Sequence, residues 1–186
     1  LPDDKGNWTG LDVDICRAVA AAIFGAPDKV KFSNVSSVDM FRRNPALDLV
    51  VRRLTWTVTR ESPLGLIFGA ITYYDGQGFL VPKSAGVTSA KQLAGKQICV
   101  ELGEGWGGNL RRYSQANGLD LKAVLVTSRQ DGEERFFGGH CAAFSADKTM
   151  LGAIRADAQR PAEYDILPEP ISKEPLAPLV RQGDDR

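Results

Sequence analysis

The stretch that decides the fold runs from Gly10 to Ile23 and reads GLDVDICRAVAAAI. The glycine ends a turn, and Asp12 can accept hydrogen bonds from the free N–H groups at a helix start. Ile15, Val19 and Ile23 recur every four residues, which predicts one buried stripe. The stretch is therefore expected to form an amphipathic helix that packs on a core.

The charge of the chain is balanced. Its 186 residues contain 23 Lys and Arg and 23 Asp and Glu, so the formal net charge is zero. No excess of positive charge draws the chain to nucleic acid or to an anionic membrane, and we expect no nucleic-acid role.

No apolar run approaches the ~20 residues of a membrane span, and residues 1–5 lack the basic-then-apolar layout of a signal peptide. We expect a soluble chain, either cytosolic or already processed.

Strands and helices alternate along the second half of the chain. In the first half we expect strands at 28–32 and 47–51 and a short helix at 40–45 that ends before its proline. From residue 96 onward the alternation has the βαβ rhythm of a mainly parallel sheet. The proline-rich segment 167–180 is expected to be extended.

Thr55, Thr57 and Arg60 lie within six residues at the predicted end of a strand. A guanidinium matches a carboxylate with two parallel hydrogen bonds, and hydroxyl groups can support it. On spacing alone, a solvated surface arginine beside β-favouring threonines explains this segment better than a ligand site does.

Asp147 follows the predicted strand at 141–145 and precedes a predicted helix, where an acid usually serves only as the helix N-cap.

The cysteines leave two alternatives open. Cys99 and Cys141 form a disulfide if their strands are neighbours, or else they are reduced core residues. Cys16 would be a buried free thiol.

The single histidine, His140, gives too few ligands for a metal site, and we expect neither a metal nor a cofactor.

Residues 103–108 spell G-x-G-x-x-G directly after a predicted strand, which is the pattern of a dinucleotide-binding turn. A dinucleotide-binding oxidoreductase is therefore one alternative function. Trp106 is bulky where such a turn needs close approach, and a lone match to this pattern is weak evidence. No G-x-S-x-G nucleophile elbow occurs, so we expect no hydrolase. The expectation that the chain is not an enzyme rests instead on the resemblance to a known family described below.

The order of glycine, aliphatic and acidic residues in Gly10–Ile23 resembles the signature of family 3 extracellular solute-binding proteins, the receptors of polar amino-acid ABC importers. Segments 55–60, 73–82 and 171–185 resemble the general L-amino-acid type of these receptors. The resemblance implies an α/β, periplasmic-binding-protein type II-like fold of two lobes joined by two crossover strands. Lobe 1 would comprise residues 1–74 and 172–186, and lobe 2 residues 75–171.

The resemblance also implies a ligand set. Thr55 and Arg60, supported by Thr57, would grip the α-carboxylate of an amino acid, and Asp147 would take its α-ammonium. The helix that follows Gly105 and Trp106 would offer N–H groups to the carboxylate, and Tyr74 could contact the ligand at the first crossover. Relatives with cysteines at the positions of Cys99 and Cys141 pair them.

By resemblance the chain would be the periplasmic substrate-binding component of a general L-amino-acid ABC importer, clamping its ligand between the lobes and docking on permease subunits. Two departures from the family, Arg53 and Glu104, lie near the expected ligand and could pair with each other. They leave open a sensor or dehydratase-like protein with an altered site. Lobe 1 looks incomplete at both ends, which predicts a homodimer, strand exchange or reduced stability.

Overall fold

The computed structural model describes residues 2, 5–35, 37–61, 66–102 and 105–183. Its helices are α1 (Leu11–Phe24), α2 (Val38–Arg43), α3 (Val58–Glu61), α4 (Trp106–Asn117), α5 (Arg129–Phe137) and α6 (Lys148–Asp157). Its strands are β1 (Leu66–Phe68), β2 (Tyr73–Asp75), β3 (Gln77–Pro82), β4 (Gln97–Glu101), β5 (Lys122–Val126), β6 (Ala143–Asp147), β7 (Tyr164–Ile166), β8 (Glu174–Leu176) and β9 (Leu179–Arg181). Within the described residues, no helix combines the length and apolar character that crossing a membrane requires.

The chain divides into two compact units. Unit 1 comprises Leu1–Tyr74 and Pro175–Arg186, and unit 2 comprises Asp75–Glu174. The chain passes from one unit to the other twice, once within β2 and once within β8, and these two strands pair with each other. The segment expected to be an extended crossover near the C-terminus is therefore a strand where it connects the units.

Unit 2 is built on a five-stranded sheet with the order β5-β4-β6-β3-β7. β4 pairs in parallel with β5 and β6, as the predicted βαβ rhythm requires. β3 runs antiparallel to both of its neighbours, β6 and β7. The sheet is therefore mixed, because the chain enters this unit on a strand of opposite direction that the alternating pattern after residue 96 does not include.

The core of unit 2 lies on the two faces of this sheet. Phe79, Leu80, Ile98 and Phe144 are fully buried strand residues, and Leu151 of α6 packs against them. Burial of these apolar side chains is the main source of stability for such a unit, at about 25 cal/mol for each Å² removed from water. The central strands are buried on both faces, which explains their continuous apolar runs.

Cys99 and Cys141 form a disulfide with their Cα atoms 5.7 Å apart. Cys99 lies in β4, and Cys141 comes two residues before β6, the strand that pairs with β4. The predicted bridge is confirmed, and the alternative of two reduced core cysteines is wrong. Cys16 is a half-buried free thiol on α1, and burial is the main cause that raises its pKa.

Unit 1 holds a smaller core, in which Phe41, Val50 and Leu66 are buried. Strand β1 pairs antiparallel with β9, which brings the C-terminal segment into this unit. Arg181 of β9 donates hydrogen bonds to the carbonyls of Phe41 and Asn44 at 2.8 and 2.6 Å, and its guanidinium lies 4.3 Å from the Phe41 ring. The carbonyls at the end of α2 are thereby satisfied, and this helix ends before its proline as predicted.

The predicted buried stripe of α1 is wrong. The buried residues of this helix are Val13 and Ala20, whereas Val19 is exposed and Ile23 is 64% exposed. The apolar stripe therefore lies on a face that the described residues leave open. Gly10 is the N-cap and no side chain caps the helix, so the expected capping role of Asp12 is also absent.

Two predicted strands of unit 1 are not formed. Residues 28–32 carry no strand, and residues 47–51 are reduced to a single bridge between Val50 and Leu179. A strand is stabilised by the neighbour with which it exchanges hydrogen bonds, and alternating apolar residues cannot supply that neighbour. The local sequence pattern alone therefore does not predict the strands of this unit correctly.

Candidate functional site

Asp147 ends β6 and directly precedes α6. Its side chain forms no hydrogen bond to the helix, so the expectation that it serves only as a capping group is wrong. Instead Oδ1 accepts a hydrogen bond of 2.7 Å from the indole Nε1 of Trp106, and the residue is only 4% exposed. Among the described residues, no Lys or Arg lies within ion-pair distance of this carboxylate.

Two further acids of unit 2 act on Asp147, and we call Asp75, Asp147 and Glu174 the acidic cluster. Glu174 is buried, and its Oε1 accepts hydrogen bonds from Ser172 Oγ at 2.7 Å and from Asn109 Nδ2 at 3.2 Å. These donors fix the Glu174 carboxylate in place beside the start of α4.

The third acid, Asp75, is anchored at both of its carboxylate oxygens. Oδ1 accepts the backbone N–H of Gly76 at 2.8 Å, and Oδ2 accepts the hydroxyl of Thr149. The three acids come from β2, β6 and β8, which are far apart in sequence. Only the fold of unit 2 brings them together.

The pKa of Asp147 is raised from its ordinary value of 3.8 to about 7. Desolvation by burial is the largest cause, and the negative charge of Glu174 is the next. A hydrogen bond with the Glu174 carboxyl and the charge of Asp75 raise this pKa further, whereas the hydrogen bond from Trp106 opposes the shift. The site therefore holds more negative charge than its environment stabilises near neutral pH.

Gln77 lies directly opposite Asp147 in the β3–β6 ladder and is fully buried. Its Nε2 donates to the Trp106 carbonyl at 3.1 Å and to Ser145 Oγ at 2.8 Å. Its Oε1 is the one buried side-chain acceptor of the described residues that lacks a hydrogen-bond partner. Gln77 thus fixes the first residue of α4, which in turn holds Asp147 through its indole.

The start of α4 is set by Gly105, which adopts a left-handed conformation with φ of 84°. Trp106 is 3% exposed and buried as the first helical residue, so its indole positions Asp147 from inside the unit. That α4 offers N–H groups to a ligand carboxylate stays a prediction. The predicted influence of Glu104 falls outside the described residues, as does Gly103.

Gly107 and Gly108 do not serve the close packing of a dinucleotide-binding turn. A Cβ added at Gly107 would meet only a Leu125 methyl at 3.7 Å, and one at Gly108 only Arg112 at 3.6 Å. Both are ordinary contacts, whereas the dinucleotide fingerprint needs its last glycine for close helix–strand packing. The bulk of Trp106 occupies the middle of the motif.

In unit 1 the structure brings Thr55, Thr57 and Arg60 together at the start of α3. The backbone N–H of Arg60 donates to Thr57 Oγ1 at 3.2 Å, so this threonine ends the preceding loop and opens the helix turn. Nη1 of Arg60 donates to the Thr55 carbonyl at 3.1 Å. The Arg60 guanidinium is thus held by its own segment, and that it binds a ligand carboxylate stays a prediction.

The other predicted site residues of unit 1, Arg53 and Tyr74, are exposed, and Tyr74, the middle residue of β2, is 74% exposed. Sequence reasoning missed Glu174, Gln77 and Asn109. The acid in the proline-rich segment, flanked by Lys173 and Pro175, was a signal for the first. No local signal marked the other two, because their roles depend on pairing across the sheet and on the approach of α4.

No protein-family model matches the chain. The general L-amino acid-binding periplasmic protein AapJ of Rhizobium johnstonii is 42% identical over 187 aligned positions, covering 100% of this chain and 55% of AapJ. The glutamate/glutamine/aspartate/asparagine-binding protein BztA of Rhodobacter capsulatus is 42% identical over 99% of this chain and 55% of its own length. The chain thus spans about half the length of the curated relatives it matches.

Among solved structures, an ABC transporter periplasmic binding protein from Brucella ovis with glutathione bound matches with a TM-score of 0.89 and 42% identity, over 98% of this chain and 58% of that one. A cysteine-binding protein from Campylobacter jejuni shares the fold with a TM-score of 0.73 at 24% identity, over 98% of this chain and 71% of that one. These proteins support neither the dinucleotide-binding oxidoreductase nor the sensor or dehydratase alternative. The fold is the α/β, periplasmic-binding-protein type II fold, and over its whole length the chain is similar to periplasmic solute-binding proteins of amino-acid ABC transporters.

Proposed function

We propose that this chain is the ligand-binding portion of a periplasmic amino-acid-binding protein that delivers its ligand to the permease subunits of an ABC importer. The observation that carries the proposal is the buried Asp147 carboxylate, held by Trp106 and lacking a cationic partner among the described residues. A buried carboxylate is costly unless a cation pairs with it. An ammonium group of a ligand is such a cation.

The two ends of the ligand are recognised by different chemistry. Asp147 takes the α-ammonium, and Trp106 keeps its carboxylate oriented. Arg60 takes the α-carboxylate through its planar guanidinium, with Thr55 and Thr57 fixing the segment that carries it. Binding requires no covalent chemistry, and the relatives named above are solute-binding proteins.

The proposal also includes a homodimer of this chain. Light scattering after size-exclusion chromatography measures the oligomeric state and so tests it.

A second candidate ligand is a γ-glutamyl peptide. The matching Brucella ovis structure contains glutathione. Glutathione carries an α-ammonium and an α-carboxylate on its γ-glutamyl residue, so the same ammonium-binding and carboxylate-binding groups can recognise it. Its second carboxylate distinguishes it from a single neutral amino acid.

The test is a thermal-shift screen of the twenty amino acids, glutathione and NADH against the wild type, Arg60→Ala and the control Arg43→Ala. Arg43 is an exposed arginine of α2 in the same unit. A ligand present at 100 times its Kd stabilises the folded state by about 2.7 kcal/mol. We expect a rise in melting temperature with amino acids or glutathione that Arg60→Ala abolishes and Arg43→Ala retains. A shift with none of these compounds contradicts the proposed function.

A further inference from the structure

Resting on the proposed function, we propose that Glu174 is a second carboxylate of the ammonium site, and that it shares one proton with Asp147 until ligand binding releases that proton. Both side chains are buried in unit 2. Asp147 comes from the end of β6, and Glu174 from β8. Trp106 and Asn109, on the first turn of α4, donate hydrogen bonds to Asp147 and to Glu174 respectively, so one helix turn holds both carboxyl groups, and the charge of Glu174 acts on Asp147.

More of the described hydrogen-bond donors contact Glu174 than contact Asp147. Ser172 Oγ and Asn109 Nδ2 both donate to its Oε1, so two donors stabilise its ionised form. Asp147 receives one described donor, the indole of Trp106. The proton of the pair therefore resides chiefly on Asp147, in agreement with the raised pKa of this residue.

The charged groups around Asp147 and Glu174 do not neutralise the negative charge of the pair, so the shared proton is still required. Asp75, on β2, adds a negative charge that raises the pKa of Asp147 further. Lys148 begins α6, but its Nζ donates to the Pro168 carbonyl at 2.9 Å. Arg112 of α4 is exposed and donates a hydrogen bond to Asn109, which in turn donates to Glu174. The neutral Asn109 side chain therefore lies between the Arg112 cation and Glu174.

An independent observation is a buried acceptor on this face of the sheet that lacks a donor among the described residues. Gln77 is the ladder partner of Asp147, and side chains of directly opposed residues project from the same face. Its Oε1 is buried and has no hydrogen-bond partner in the described part of the chain. A primary ammonium group brings three N–H donors to acceptors of this kind.

The binding step balances in protons and charge. Before binding, Asp147 is a neutral carboxylic acid that donates its O–H to the Glu174 carboxylate, and the pair carries one negative charge. A ligand ammonium enters with one positive charge, and the shared proton leaves to solvent. Two carboxylates then face one ammonium, so the charge of the occupied pair is again minus one. No bond to carbon forms or breaks.

The first test needs no ligand, because the indole N–H of Trp106 bonds directly to Asp147 and reports its protonation. In ¹⁵N-labelled protein its resonance is identified among the three tryptophans as the one lost in Trp106→Phe. We expect this resonance to titrate with a midpoint near pH 7. In Glu174→Gln the midpoint falls by about one pH unit or more, because a neutral amide removes the charge that raises the pKa. The control Glu169→Gln, an exposed acid of the same segment, keeps the wild-type midpoint.

The second test uses L-glutamine, whose side chain does not titrate near neutral pH. Calorimetry at pH 7 in phosphate and in Tris gives the protons released per ligand bound, and we expect about half a proton. The Kd should rise up to tenfold for each pH unit below 7, and this dependence should weaken in Glu174→Gln.

The outcomes separate the two proposals. A Trp106 resonance that shows no inflection between pH 5 and 9, or one that Glu174→Gln leaves in place, overturns the shared proton. Glutamine binding with no proton release overturns the release step while the proposed function stands. Failure of L-glutamine, the other amino acids and glutathione to bind overturns the proposed function and, with it, the release step.

Discussion

Asp147→Asn is expected to stabilise the ligand-free protein while abolishing amino-acid binding. Asparagine has nearly the same shape as aspartate, and its Oδ1 can still accept the 2.7 Å hydrogen bond from Trp106. It carries no charge, so it imitates the protonated form of the acid at every pH. The substitution therefore removes the cost of burying a second negative charge beside Glu174.

The magnitude follows from the pKa of Asp147, which is raised from 3.8 to about 7. An acid with a raised pKa binds its proton more tightly in the folded state, so its contribution to the free energy of unfolding falls as the pH rises from about 4 to about 7. Each pKa unit corresponds to about 1.4 kcal/mol. Above pH 7 the variant is expected to be more stable by about 2 to 4 kcal/mol, and the gain should shrink as the pH is lowered toward 4.

Urea unfolding followed by far-UV circular dichroism at pH 5 and pH 8.5 measures this gain. The matched control is Asp165→Asn, an exposed acid of β7 in the same unit, whose effect should stay within about 0.5 kcal/mol. A ligand-free Asp147→Asn protein that is less stable than the wild type at pH 8.5 refutes the reasoning. So does a gain in stability that is equal at both pH values.

Two further predictions concern stability. Gly132→Ala should lower the free energy of unfolding by about 1–3 kcal/mol, because the added Cβ would lie 2.8 Å from Phe144 Cζ. In the control Gly152→Ala the Cβ meets nothing within 4 Å, so the variant should gain about 0.5–1 kcal/mol in thermal unfolding. Replacing Cys99 and Cys141 together by alanine opens a loop with a sequence separation of 42 and should cost about 2–4 kcal/mol. A double variant that melts like the oxidised wild type would contradict this.

The fold of unit 2 could be predicted from sequence because local and long-range preferences agree there. Alternating strand and helix patterns after residue 96 match β4 to α6, and the cysteines fall on neighbouring strands. Strand β3 was the exception, since nothing local gives the direction in which a strand enters a sheet. In unit 1 the patterns were correct for α2 and wrong for the stripe of α1, whose exposed Val19 and Ile23 no described residue covers. Amphipathic spacing shows that a face is apolar, whereas burial depends on what packs against it.

The candidate site divides along the same line. Thr55, Thr57 and Arg60 are neighbours in sequence, and one short helix turn brings them together. The surroundings of Asp147 are non-local, since Trp106 lies 41 residues away and reaches it only because α4 and β6 pack in one unit. The sequence could place an acid at the end of a strand, but it could not show whether that acid caps a helix or lies buried against an indole.

Burial is what turns Asp147 from a structural acid into a candidate binding group. A capping aspartate would be solvated, and its charge would stabilise the helix start. Asp147 instead lies beside Glu174 at a cost that the described residues of the free protein do not offset with a cation. Because perturbed carboxyl groups cluster at functional sites, the cost of burying this group supports the proposal that a ligand binds here. The same energy that makes Asp147→Asn more stable should then be available to hold an ammonium group in the wild type.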